Sequence, residues 1–511
     1  MSFLLVPHQV SDTSATIWVG ALDEENVSQR SVRLELESSG DESGGEGREI
    51  ELDASAWETW ESFRPEDPKT YPLVDRLLHL ASVLKAPPVR RTLDYQRVEV
   101  RALRARTSYS MKLRVDDERV IGSERYLREG RVTTLPAALP ARGEKPFTLL
   151  VGSCFYGPED RGGLVGGTYH YLPEDERPDV KVLCGDQVYL DNPWRETTLK
   201  WYRANQRPGL FRAMLFEKYV ANWTQVGGED AGFRRLLADG ANYFCSDDHE
   251  FWNNAPNFGG VGLLNSLTSK QREWWFAEAS RLFRAFQSPS PLLQFKVPPL
   301  SVCVADTRIK RDTKSVRFLR DEDLRAVRRW IEELQGPGVL VVGQPVLAEG
   351  DGVAKSLLKS IRKKGLKNAI LSYVDRDLPH YAQYKDLVGH IKSSDHSVVI
   401  LTGDVHFGRV ACGELKPGSG TMFVEVISSP MQAVLSDKDE PLFGSYKNAP
   451  TNHFPIAENR EVLPRRNHFD TVRFFLGEDG RVNMEVRAWP SLLPREEVSP
   501  SCDVVFERAL S

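Results

Sequence analysis

The hydrophobic pattern of this 511-residue chain changes near residue 140, and that change limits its folding more than any single motif does. Before it, apolar and polar side chains alternate. Val32, Leu34 and Leu36 are interleaved with Arg33, Glu35 and Glu37, and Tyr109, Met111, Leu113 and Val115 with Ser110, Lys112 and Arg114. A period of two puts one face of a strand on a core and the other in water, so residues 1–140 read as an all-β domain. The Ser/Gly/Glu-rich stretch Ser38 to Glu49 cannot bury a core and is expected to be a hairpin loop. Between Trp57 and Leu84 the alternation stops, and Leu73, Leu77, Leu78, Leu80 and Leu84 suggest a helical insertion. Thr134 to Gly143, punctuated by prolines, reads as a linker. Beyond it come unalternating apolar runs at 147–151, 180–184, 241–245, 300–305, 339–342 and 397–401. Such strands are covered on both faces, which predicts an α/β layered domain over 141–511. Its clearest helix is Asp321 to Leu334, with Asp321 as N-cap and Leu324, Val327, Ile331 and Leu334 on one stripe. From Met422 the pattern returns to β, with a hairpin over Val472 to Val486 turning at Asp479-Gly480.

Composition removes several function classes. Hydrophobic residues make up 41% of the chain and charged residues, spread evenly, 27%, which argues for buried cores and against wholesale disorder. A net charge of −5 supplies no global positive field, so no nucleic-acid or anionic-lipid surface is expected. The start, MSFLLVPHQVSDTS, lacks a basic leader region, and no apolar stretch approaches the roughly 20 residues of a membrane span. A cytoplasmic location with reduced thiols is the expectation. The six cysteines include no CxxC pair. Cys184, Cys245 and Cys303 are assigned to core packing. Neither GxGxxG nor GxxxxGK[ST] follows any strand, so a phosphate-cradling glycine loop is unsupported.

The residues just past four strand ends are of metal-ligand type: Gly152-Ser-Cys154, Gly185-Asp-Gln-Val-Tyr-Leu-Asp191, Ser246-Asp-Asp-His-Glu250 and Thr402-Gly-Asp-Val-His406. Sites in open sheets form outside the carboxyl ends of strands. Asp404 and His406, two apart after a glycine, can address one metal or two adjacent ones. Asp247-Asp248-His249-Glu250 would repel itself at the carboxylates unless a cation sits among them, although an exposed acidic turn has the same sequence. For Asp186 with Tyr189, ordinary turn chemistry is the competing explanation, and for Cys154 it is core packing.

Read in order, these segments resemble the PhoD-like (alkaline phosphatase D) branch of the metallophosphoesterase superfamily. The family's pattern is a Ser-Cys strand end, a GDxxY block, a DDHExxNN block and a late GDVH block; here the last three stand as Gly185 to Tyr189, Asp247 to Asn254 and Gly403 to His406. Ala305-Asp-Thr-Arg308, Gly343-Gln-Pro-Val346 and Ile427-Ser-Ser-Pro430 resemble its secondary landmarks, and the N-terminal unit its β-sandwich. The resemblance implies an α/β metallophosphoesterase-like layered sandwich preceded by an immunoglobulin- or fibronectin-like sandwich domain. It implies that Cys154, Asp186, Tyr189 and His406 hold ferric iron, Fe(3+), and that Asp186 bridges to a second ion, calcium, Ca(2+), or another divalent metal, near Asp248 and Asp404 and completed by Asn254. Such a pair, about 3.5–4 Å apart, lowers the pKa of water and stabilises in-line displacement on a phosphate mono- or diester. His249 then protonates the leaving alkoxide or orients the phosphate. Arg308 is a phosphate clamp in this scheme, or else a surface ion pair beside Asp306. The expected partner is a small-molecule phosphate ester.

Leu378 and His380, within Asp375 to Tyr381, depart from the family's acidic, Trp- and Gly-containing segment. That segment and the glycine-rich Tyr156 to His170 are both lid candidates, and Trp194, Trp201, Trp252, Trp274 and Trp275 are candidate pocket walls. The rival class is a non-catalytic binding protein on a degenerate phosphoesterase scaffold.

Overall fold

The alternating N-terminal segments pair as their period requires. In the computed structural model, β1 (Phe3–Val10), β2 (Ser14–Leu22), β3 (Val32–Ser38), β4 (Arg48–Glu51), β5 (Glu58–Glu61), β6 (Thr92–Arg101), β7 (Ser108–Val115) and β8 (Glu129–Thr133) form two four-stranded antiparallel sheets, ordered β1-β2-β6-β5 and β4-β3-β7-β8. The structure describes residues 3–38, 47–61, 91–116, 129–192, 208–227, 232–257, 266, 268–348, 377–433, 449–450, 453–464, 466–491 and 502–511. β3 and β4 pair antiparallel, with Leu36 opposite Arg48, and residues 39–46 of the expected hairpin loop lie outside the described residues. The helical reading of Trp57 to Leu84 fails at its start, where Glu58–Glu61 is a strand paired with β6, and the rest lies outside the described residues. Thr134 to Gly143 is packed down rather than a free tether: Leu135 and Leu139 are buried, and their amides donate to Ser11 and Pro298 carbonyls.

After residue 140 the strands are β9 (Phe147–Gly152), β10 (Val180–Cys184), β11 (Ala241–Cys245), β12 (Leu292–Val297), β13 (Leu300–Ala305), β14 (Gly338–Val341), β15 (Val398–Thr402), β16 (Gly408–Glu414), β17 (Met422–Ile427), β18 (Ile456–Val462), β19 (His468–Leu476), β20 (Val482–Pro490) and β21 (Asp503–Leu510). The helices are α1 (Leu164–His170), α2 (Pro208–Trp223), α3 (Phe233–Ala238), α4 (Ser269–Phe286), α5 (Asp321–Glu332) and α6 (Gln383–Ser393). A six-stranded sheet runs β11-β10-β9-β19-β20-β21 and a seven-stranded one β12-β13-β14-β15-β17-β16-β18. Alternate residues explain why the apolar runs are unbroken. Leu149, Val151, Val302, Val304, Val399 and Leu401 join one core shared by the sheets. Leu150 and Leu183 face the other way, into a cluster with α2, α3 and α4, and Leu340 and Ile400 into one with α5 and α6.

The expected fold class is nevertheless corrected. Among the described residues strand outweighs helix, 38% against 23%, in four sheets, so the fold is strand-dominated rather than an α/β metallophosphoesterase-like layered sandwich. The physical reason lies in the pairing. Apolar runs report burial on both faces without saying what does the burying, and here much of it is sheet against sheet. β19 lies antiparallel beside β9, with Asp470 opposite Val151, and brings β20 and β21 with it. The predicted helix at 321–334 forms as α5 over Asp321–Glu332, with Arg320 rather than Asp321 at the N-cap.

The N-terminal sheets are fixed to the rest by buried polar contacts. Asn242 Nδ2 donates to the Pro7 carbonyl, Tyr243 Oη to Val10, and Trp18 Nε1 to Ala285 at 2.7 Å. His8 lies in this seam, stacked on Trp18 with centroids 6.2 Å apart and edge-on to Phe244 at 5.7 Å. Burial, and then the Arg97 charge, push its pKa well below the ordinary value. The unfolded chain therefore takes up a proton near pH 6.5 that the folded chain refuses, and stability falls as pH drops below that value, by up to about 1.4 kcal/mol per pH unit. His8→Phe keeps the ring and removes the proton site. Its melting temperature is expected to fall less than that of the wild type between about pH 7.5 and about pH 5.5.

Candidate metal centre

Because β9, β10 and β11 are mutually parallel, as are β14, β15 and β17, their C-terminal ends deliver loops to the same side of each sheet. Those loops are bonded to one another. Cys154 and Phe155 donate amides to the carbonyls of Gly185 and Asp186, Asp404 N donates to Ser153 Oγ at 3.2 Å, and His406 N donates to Ser429 Oγ at 3.1 Å. The glycines of the two GD turns are required by contact. A Cβ on Gly185, whose φ is +93°, would lie 2.5 Å from Asp247 Cβ, and one on Gly403 would lie 2.1 Å from Ser153 Oγ. Five side chains singled out in the sequence sit on left-handed backbone: Cys154 (φ 57°), Asp186 (59°), Asn254 (68°), Asp404 (72°) and His406 (49°). Non-glycine residues are seldom held this way, and such strain gathers at functional sites.

The loops gather a dense set of donors. Asp186, Asp247, Asp248 and Asp404 each present a carboxylate oxygen within 4.8 Å of the others, and Asp186, Asp248 and His249 form a second such group. Asp186 Oδ1 accepts the His249 amide at 3.0 Å, and its Oδ2 is 3.5 Å from Cys154 Sγ. Asp248 Oδ2 accepts the amide of the buried Asn254 at 2.6 Å. Tyr189 Oη is 3.2 Å from His406 Nε2. Cys154 and His406 fall outside both carboxylate groups, on the flank where Tyr189 stands.

Electrostatics tests whether metals fit this set. Burial, then the neighbouring Cys154, Asp248, Asp247 and Glu250, push the Asp186 carboxyl well above its ordinary range. Burial and Asp404 push the Cys154 thiol up to about 12. Burial and the His249 charge push His406 down to about 4, which keeps the imidazole in the neutral form that metals bind. Asp247 Oδ2 is buried and has no hydrogen-bond partner among the described residues. A cluster of this kind either holds protons or holds cations, and cations also satisfy the orphaned oxygen. The donors fit: a thiol, a phenol and an imidazole on one flank, carboxylates on the other, and Asp186 touching both.

His249 is placed at the edge of this cluster. Its Nδ1 is 2.7 Å from Asp191 Oδ1, and its ring stacks on Tyr189 with centroids 4.2 Å apart. Burial works to lower its pKa, but Asp191 and then Asp248 outweigh it and hold His249 up at about 9.

Arg308 stands elsewhere than expected. It is completely buried, donating from Nε to Asp247 Oδ1 at 2.7 Å and from Nη1 to the Ala255 carbonyl at 2.8 Å. It is neither an open phosphate clamp nor a surface pair with Asp306, which instead accepts from Ser246 and from the amides of Arg308 and Ile309. Arg308 braces Asp247 from behind. Both lid candidates also change. Val165 to Tyr169 are buried within α1, and in 377–381 Leu378 and Tyr381 are buried, with the Arg311 guanidinium 5.0 Å from the Tyr381 ring; Asp375 lies outside the described residues. Trp252 and Trp275 pack on each other in the core, while Trp194 and Trp201 lie outside the described residues.

Three residues to which the sequence assigned no role join the site. Asp191 pairs with His249, Gln344 donates to Asp404 Oδ2 at 2.8 Å while accepting from Arg311, and Glu250 binds the backbone of two loops. Asp191 and Glu250 lay in noted strand-exit segments and Gln344 in the landmark Gly343 to Val346, so position along the chain was the signal available.

No family model and no curated protein matches the chain. Among solved structures, a glycosyl hydrolase family 2 member from Bacteroides cellulosilyticus aligns at a TM-score of 0.21 and 10% identity, over 70% of this chain but only 38% of its own length. Bacteroides uniformis beta-glucuronidase 2 aligns at 0.20 and 9%, over 100% of this chain and 61% of that one. Similarity at this level extends to neither fold nor chemistry. Among the described residues no helix is long and apolar enough to cross a membrane.

Proposed function

We propose that the chain is a metal-dependent phosphoesterase acting on small phosphate mono- or diesters. The observation that supports this reading is the convergence of four carboxylates with a thiol, a phenol and an imidazole at the strand exits, with Cys154, Asp186, Asp404 and His406 on left-handed backbone. Cys154, Tyr189 and His406 suit ferric iron, Asp248, Asn254 and Asp404 suit a harder divalent cation such as calcium, and Asp186 lies between the two sets. When bound, the metals supply Lewis acidity toward water and toward a phosphoryl oxygen. His249, kept in its imidazolium form by Asp191, has Nε2 available to give a proton to the leaving alkoxide. Asp191 is itself fixed by the Asn253 amide at 2.7 Å, and the stacked Tyr189 ring fixes the imidazole plane. Arg308 acts through Asp247, which it orients.

Metal-reconstituted protein assayed on an alkyl monoester and a bis-aryl diester is expected to hydrolyse at least one. Loaded protein inert toward both would favour the binding-protein alternative. Cys154→Ser replaces a donor that binds as an anionic thiolate with a far less acidic hydroxyl, so it is expected to lose iron while keeping the divalent ion, as read by elemental analysis; unchanged iron would remove Cys154 from the ligand set.

A further inference from the structure

We propose that Glu250 is a positioning residue that sets the separation of the two acidic loops and thereby the metal affinity of the centre; the inference rests on the metal-dependent reading above. Glu250 is completely buried. Its Oε2 accepts the amides of Asp186 at 2.8 Å and Asp247 at 2.9 Å, and its Oε1 accepts that of Gln187 at 2.7 Å. One carboxylate therefore joins the loop after β10 to the loop after β11 through three backbone donors, two of them belonging to residues of the carboxylate cluster. Its own place is set by the helices behind it. Tyr219 on α2 donates to Gln287 Oε1 at 2.9 Å, and Gln287 Nε2, just past α4, lies 3.3 Å from Gln187 Oε1 and 3.5 Å from Glu250 Oε1.

Metal centres tolerate ligand displacements of only about 0.2 Å. A residue that holds Asp186 and Asp247 by their amides thus governs the cluster without being a ligand. Glutamine at this position offers one acceptor and turns an NH2 group toward backbone donors, so the loops must separate or leave amides unsatisfied. Losing an outer partner of this kind costs about 10–100-fold in metal affinity.

The test is equilibrium dialysis of metal-free wild type, Glu250→Gln and Glu250→Asp against graded calcium and manganese, with bound metal read by mass spectrometry and folding by circular dichroism and thermal unfolding. Glu250→Asp keeps the charge and shortens the reach by one methylene. Both variants are expected to unfold cooperatively and to bind metal about 10–100-fold more weakly, with excess metal restoring turnover in Glu250→Asp. Wild-type affinity in both variants would overturn the proposal. So would loss of folding in both, since the carboxylate would then hold the fold rather than tune the site. A wild type that binds neither ion would instead overturn the metal-dependent reading itself.

Discussion

Asp186→Asn is expected to give a folded protein with no stoichiometric metal and at least about 10³-fold less phosphoesterase turnover, a loss of roughly 4 kcal/mol in transition-state stabilisation. The substitution is nearly isosteric. Asparagine keeps an oxygen for the His249 amide and presents its NH2 group to Cys154 Sγ, so local contacts survive. What goes is the charge at the position that adjoins both donor sets. The same change removes one carboxyl from a buried cluster in which Cys154, Asp248, Asp247 and Glu250 all oppose ionisation of Asp186. Metal-free Asp186→Asn is therefore expected to melt at or above the temperature of the metal-free wild type, a stability gained at the expense of function. Retention of both metal and activity would remove Asp186 from the centre.

His249→Gln is expected to keep its metal and to lose about 10²–10⁴-fold in turnover on alkyl phosphates, which need a proton on the departing oxygen. Aryl esters with acidic phenols leave as anions and should lose far less. Asp191→Asn is expected to show the same dependence on leaving group with a smaller loss, because Asp191 acts through the imidazole. Kinetics over a series of leaving groups separates these cases. Equal losses on alkyl and aryl esters would show that His249 orients substrate instead of donating a proton.

The strand exits were legible in the sequence because they combine two independent signals, an apolar run and a following glycine with ligand-type residues. Cys154, Asp186, Tyr189, Asp248, His249, Asn254, Asp404 and His406 accordingly come together from four loops. Arg308 was misplaced because the D-x-R spacing gives neighbourhood without direction, and its side chain turns inward to Asp247. Glu250 and Asp191 stand in the same strand-exit runs as the ligand candidates, and their residue type alone assigned them no role. Backbone direction separates them: Glu250 closes a 3-10 turn with its carboxylate facing amides, while Asp186 sits at φ 59° facing the cluster. The fold class was misread for a different reason. The pairing of β19 with β9 joins segments about 320 residues apart, and no local period reports so distant a partner.

Elemental analysis of the purified protein by mass spectrometry, with a visible absorption spectrum on the same sample, tests the central claim most directly. About one iron per chain accompanied by calcium is expected, with a phenolate-to-iron charge-transfer band that disappears in Tyr189→Phe. A protein that takes up no metal even after reconstitution with iron and divalent cations would contradict the account.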